Sequence, residues 1–202
     1  ILTHIRRSEK VFIMKVFITV LVLIFSLQSW TKADDIKDFE IEGISLGDSL
    51  LNFLNFDEIK SLHSSHTSGS KKYIRYYEVK KANNYDGMDV WVLLNDNKFI
   101  IHSLTGFIDY PNNIKDCYPK KKLIVSSIES QLTMKGNSYI SNYDNNTSRS
   151  DVTDFDISQG SIRIWCTDYS KKKEVERNYI DYLGVTASSE KFIYWLDNEA
   201  YK

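Results

Sequence analysis

The chain has 202 residues, 42% of them hydrophobic and 13% aromatic, with 26 basic against 27 acidic side chains. That length suits one domain with its own core. The near-neutral balance argues against a nucleic-acid partner, which calls for a concentrated basic surface.

Residues 1–13 carry Arg6, Arg7 and Lys10 and read either as a basic n-region or as an extension upstream of a start at Met14. Residues 14–33 read as a signal peptide: Met14-Lys15, an apolar run from Val16 to Leu27, and the small residues Thr31 and Ala33 before a cleavage point after Ala33. The run is shorter than the ~20 apolar residues of a spanning helix, so no stable membrane span is expected once it is removed. Loss of residues 1–33 takes away five basic residues and one acidic residue, leaving 21 against 26 and a net charge of −5. Residues 34–202 are expected to form a single α+β domain in the periplasm or outside the cell.

The mature segment opens on an extended stretch through Glu42, with Gly43 and Gly47 bounding a turn. Asp48 or Ser49 is placed to cap a short helix carrying Leu50, Leu51 and Leu54, and Asn55 with Glu58 makes a capping-box-like restart for a second helix. Three strand patterns follow, over Tyr73–Lys80, Met88–Leu94 and Lys98–Tyr110, with a tight turn at Asp96-Asn97 and a bulge expected at Gly106. A helix then runs to about Met134, starting either near Asn113 or only at Pro119, with Ile124, Val125, Ile128 and Leu132 inward and Gly136 closing it.

Strands are expected next over Asn137–Tyr143, Val152–Ile157, Ser161–Tyr169 and Tyr179–Ala187, before a last helix capped by Ser188 or Ser189 and docked through Phe192, Trp195, Leu196 and Ala200. The fold class is α+β, an antiparallel sheet built from two helix-plus-three-strand units with a C-terminal helix packed on it. Leu50, Val90, Ile101, Ile128, Ile164 and Trp195 are the expected core. Cys117 and Cys166 are the only cysteines in the exported part and are expected to pair, the alternatives being a reactive thiol or two buried free cysteines.

Gly43-Ile44-Ser45-Leu46-Gly47 matches the Gly-x-Ser-x-Gly pattern of a nucleophile elbow, but only about ten mature residues precede it, where an α/β-hydrolase needs several strands. Leu46-Gly47-Asp48-Ser49-Leu50 resembles the Gly-Asp-Ser-Leu block of the GDSL or SGNH esterases, which implies a parallel α/β sandwich and a nucleophilic Ser49. No histidine follows His102, so the Asp-x-x-His block of that family is missing and the serine lacks a base. Gly47 therefore reads as a turn residue and its neighbours as helix caps.

His63 and His66 read as loop residues, while Asp144, Asp151, Asp154 and Asp156 read as solvated carboxylates. Lys120-Lys121-Lys122 and Lys171-Lys172-Lys173 read as solvated faces, and no cofactor or metal is expected. Tyr73, Tyr76, Tyr77, Tyr85, Trp91, Trp165 and Tyr169 lie on or beside strands. Of these, Tyr73, Tyr76, Tyr77 and Trp91 form the candidate interaction surface for an unknown protein or envelope component.

The Ile41–Leu50 opening, the Ile164-Trp165-Cys166 strand and the Trp195–Tyr201 end resemble small exported hypothetical proteins of AT-rich marine alphaproteobacteria, as does the lysine bias of 20 among 26 basic residues. That resemblance implies an address in the periplasm or envelope. The turn leading through short helices to a meander also resembles outer-membrane assembly lipoproteins and β-lactamase inhibitor-like modules. The leading expectation is a non-catalytic binding module; the alternative is a serine ester hydrolase using Ser49.

Overall fold

The computed structural model describes residues 35–79, 83–111, 113–143 and 145–202. The signal-peptide expectation and the start at Met14 lie outside these residues. Two short strands, β1 (Glu40–Ile41) and β2 (Ile44–Ser45), form a hairpin closed by Glu42 and Gly43. Both turn residues have positive φ, the conformation that a two-residue hairpin connection favours. Ser49 caps a 3-10 turn over Leu50–Asn52, and Asn55 with Glu58 completes a reciprocal capping box at the start of helix α1 (Phe56–Ser61).

An eight-stranded antiparallel sheet follows. Its strands are β3 (Ser64–Ser65), β4 (Tyr73–Tyr76), β5 (Gly87–Leu93), β6 (Ile101–Asp109), β7 (Asn137–Tyr143), β8 (Ser148–Ile157), β9 (Gly160–Asp168) and β10 (Tyr182–Ser189). Their spatial order is β3-β4-β5-β6-β10-β9-β8-β7, so two meanders meet where β6 pairs with β10. β3 lies in what the sequence presents as a polar loop. The turn at Asp96-Asn97 is wider than expected: β6 starts only at Ile101, because the Asp96 carboxylate accepts the backbone N–H groups of Lys98 and Ile100 and folds the intervening residues into a loop.

Helix α2 (Cys117–Leu132) begins two residues before Pro119, directly after a 3-10 turn at Ile114–Asp116. Proline is tolerated there because first-turn N–H groups have no helical partner. Thr133, at φ 54°, ends the helix in place of Gly136. Gly136 instead lies where a Cβ would meet Thr153 and Phe155. Gly106 is in regular pairing with Met88 and Val185, and the register shift falls opposite Trp91 and Val92; its missing side chain makes room for the Tyr85 ring. Helix α3 (Lys171–Arg177) precedes β10, and helix α4 (Glu190–Asn198) follows it, capped by Ser189.

Strand alternation sorts the sheet into two faces. Met88, Val90, Leu104, Ile162, Ile164, Leu183 and Val185 share one, buried beneath α2 and the N-terminal segments. Cys166 belongs to this face, and its disulfide to Cys117, with α-carbons 6.0 Å apart, fastens α2 to β9. Lys121, one turn along, points inward and pairs with the part-exposed Asp151 at 2.7 Å, so Lys121 is not the solvated charge its sequence context suggests. All six expected core residues are buried.

The disulfide closes a 49-residue separation. Cys117→Ala with Cys166→Ala should therefore lower the free energy of unfolding by about 4 kcal/mol on the chain-entropy relation. Denaturant titration with and without reductant checks this; equal midpoints would show that the helix docks without its covalent link.

Candidate functional site

The four residues expected to form one interaction surface are dispersed by the fold. Tyr73 is 2% exposed and packs against Trp195 at 4.8 Å, Phe192 at 5.2 Å and His102 at 5.3 Å, so it belongs to the core. Trp91 lies beside the same Phe192 and Trp195 rings. The cause is α4, whose apolar stripe folds back over the end of the sheet where β4 and β5 meet. Tyr76 alternates to the opposite face, where its ring is 6.3 Å from Phe99. Tyr77 is half-buried: its hydroxyl hydrogen-bonds with Ser65 and its ring carries the Arg75 guanidinium at 4.5 Å.

Arg75 also donates to Asp89 through Nε at 3.0 Å and through a second guanidinium nitrogen. Burial pushes the Asp89 carboxyl above its ordinary pKa, against the opposing pull of Arg75.

Past the rings under α4 the same face carries further aromatic residues that the candidate set omits. Cross-strand register places Gly87, Phe107, Gly184, Trp165, Val152 and Tyr139 in one row across six strands. A Cβ on Gly184 would strike the six-membered ring of Trp165, and one on Gly87 would strike the ring of Phe107. Each ring therefore lies across a neighbouring strand, held down by the glycine under it. Tyr139 at the end of the row is 39% exposed.

Polar rows flank it. On one side Arg163 grips Asp154 through two bonds of 2.7 and 3.0 Å, Tyr139 donates to the same carboxylate at 3.0 Å, and Thr105 pairs with Thr186. On the other, Trp165 Nε1 donates to the Tyr182 hydroxyl at 3.1 Å, and Tyr143, Tyr169 and Tyr179 continue the aromatic cluster. Burial among these rings raises the Tyr169 phenol, which stays neutral. Such an arrangement offers apolar ring surface for stacking inside a hydrogen-bonding rim. Trp165 and Tyr169 stand out in the sequence as strand aromatics. The glycines that place the rings belong to other strands, so their role depends on register.

The Ser49 hydroxyl donates to the Lys98 carbonyl at 2.5 Å and accepts the Leu51 N–H at 3.2 Å. The three described histidines sit by other groups: His63 on Tyr77, His66 at the Tyr73 carbonyl and His102 on the Tyr73 ring. The sheet that Ser49 abuts is antiparallel, unlike the parallel sandwich that the esterase resemblance implies. His63 and His66 flank the two residues of β3 and do not share a helix turn. A cleft of about 410 Å³ opens beside α4, lined by Lys72, Tyr73, Leu93, His102, Glu190, Lys191 and Tyr194. Burial lowers the His102 pKa there, with Lys191 adding to the effect and Asp96 opposing it.

These features define an α+β domain with a disulfide-fastened helix on one sheet face and a partly uncovered aromatic row on the other. No protein-family model matches the chain, and no curated protein matches it. Among the described residues no helix is long and apolar enough to cross a membrane.

Gly184→Val should drive the Trp165 indole off the sheet, shifting tryptophan emission and costing about 1–3 kcal/mol of stability through overpacking; unchanged emission would mean that the ring is not seated on Gly184. The His102 pKa is lower in the folded chain than in the unfolded one, so its contribution to stability is present above an ordinary histidine pKa of about 6.5. That contribution is lost as pH falls through the folded value. Unfolding midpoints should drop on mild acidification, and His102→Gln should flatten the drop. The raised Asp89 carboxyl acts with the opposite sign, so the difference between variant and wild type isolates the histidine.

Proposed function

We propose that this chain is an exported periplasmic or cell-envelope protein that works as a non-catalytic binding module, meeting its partner through the aromatic row of the sheet face beyond α4. The observation that carries this reading is the row itself, with Trp165 and Phe107 laid across glycine-bearing strands and Arg163, Asp154 and Tyr139 beside them. Aromatic and arginine side chains supply most of the binding energy at protein interfaces.

The order of strands supports a division of the domain into two helix-plus-meander units, β3–β6 and β7–β10, joined along β6 and β10. On this reading the resemblance to exported marine proteins carries an address, the periplasm or envelope, and no mechanism.

The serine-hydrolase alternative rests on the Gly47-Asp48-Ser49-Leu50 match, and the Ser49 hydroxyl already serves as a cap and a donor. Two measurements decide. Trp165→Ala together with Arg163→Glu should abolish retention of an envelope component that the wild-type protein retains, while Leu123→Ala, on the exposed side of α2, should not. Equal retention by all three proteins would move the contact elsewhere. Turnover of short-chain aryl esters by the purified protein, abolished by Ser49→Ala, would overturn the non-catalytic reading.

A further inference from the structure

The two edges of the sheet are unlike. On one side the last strand is β3, only two residues long. On the other it is β7, a seven-residue strand with six residues exposed. Edge strands present unpaired backbone donors and acceptors, and native proteins blunt them with charge, proline, bulges or brevity. β7 reads Asn-Ser-Tyr-Ile-Ser-Asn-Tyr, with no charged residue and no proline, and its pairing with β8 runs without a register shift. No other described strand pairs with it, and Ile140 at its centre is 47% exposed.

We propose that β7 is a self-association edge, at which a second copy of this chain adds its own β7 antiparallel and extends the sheet through both molecules. A twofold axis perpendicular to the sheet pairs each residue with a counterpart on the same face, so the axis must pass at a residue and not between two. Centring it on Ile140 pairs the whole strand. Ile140 then meets Ile140 of the second copy, Tyr139 meets Ser141, Ser138 meets Asn142, and Asn137 meets Tyr143.

Every one of these pairs is apolar or hydrogen-bonding, and none sets like charges opposite each other, the arrangement that penalises self-pairing. This self-complementarity favours a second copy over a foreign peptide, whose side chains would have to match an uncharged strand that already matches itself. The contact uses backbone along the sheet edge and engages only Tyr139 of the aromatic row, so it leaves Trp165 and Phe107 free and does not depend on the binding role proposed for them.

Sedimentation velocity over a range of concentrations, with hydrogen exchange of the β7 amides, tests the inference on the purified chain. The expected result is a reversible dimer whose β7 amides gain protection as concentration rises. Ile140→Lys, which sets two ammonium groups against each other, should weaken the dimer by about tenfold or more, whereas Leu123→Lys on α2 should leave it unchanged. A far-ultraviolet circular dichroism spectrum like the wild type's establishes that each variant is folded. Three results would overturn the proposal: a monomer at every concentration, a dimer indifferent to Ile140→Lys, or β7 protection that appears only when envelope extract is added.

Discussion

The pairing of β6 with β10 holds the molecule together. It joins residues about eighty positions apart in the chain, and each of its seven residue pairs closes a long loop whose entropy must be met before any contact is gained. Without it the chain would hold two separate meanders, each with an unpaired inner edge. The seam is reinforced by two hydroxyl pairs, Ser103 with Ser188 and Thr105 with Thr186, each at 2.8 Å. Thr186 also donates to the Leu104 carbonyl, so the polar groups at the centre of the sheet are satisfied where they are needed to hold the register.

Once the sheet is continuous, its two faces receive different coverings. One is closed by α2, fixed covalently through Cys117 and Cys166 and electrostatically through Lys121 and Asp151. A buried ammonium is costly unless its partner is in place, so this pair adds little net stability while penalising any other placement of the helix. The second face is covered in part by α4, nine residues long, which packs on the Tyr73 and Trp91 cluster. The remainder must cover itself with its own side chains. It does so by laying Trp165 and Phe107 across Gly184 and Gly87, which buries backbone beneath rings and leaves half-buried aromatic surface toward solvent.

The same partial covering explains why the tyrosines and tryptophans have separate fates. Tyr73 and Trp91 serve the core beneath α4, Tyr76 faces the opposite side with Phe99, and Trp165 and Tyr139 lie farther along the same face as Trp91. Residue type alone is the same in all five cases: an amphipathic ring on a strand. Their roles diverge through what passes over each one.

Much of the local structure was legible in the chain. Asn55 and Glu58 announce their capping box, Ser49 its cap, Gly47 its left-handed turn and the alternating runs their strands, because each depends on neighbours a few residues away. The burial of Leu50, Val90, Ile101, Ile128, Ile164 and Trp195 follows from the same short periodicities. Only the tertiary structure decided that β6 would adjoin β10, that Lys121 would turn inward, that Thr133 and not Gly136 would end α2, and that Gly184 would lie under Trp165. Those outcomes require knowing which strand lies beside which and in what register. That is fixed by packing between residues tens of positions apart, which leave no periodic trace in one another's local sequence.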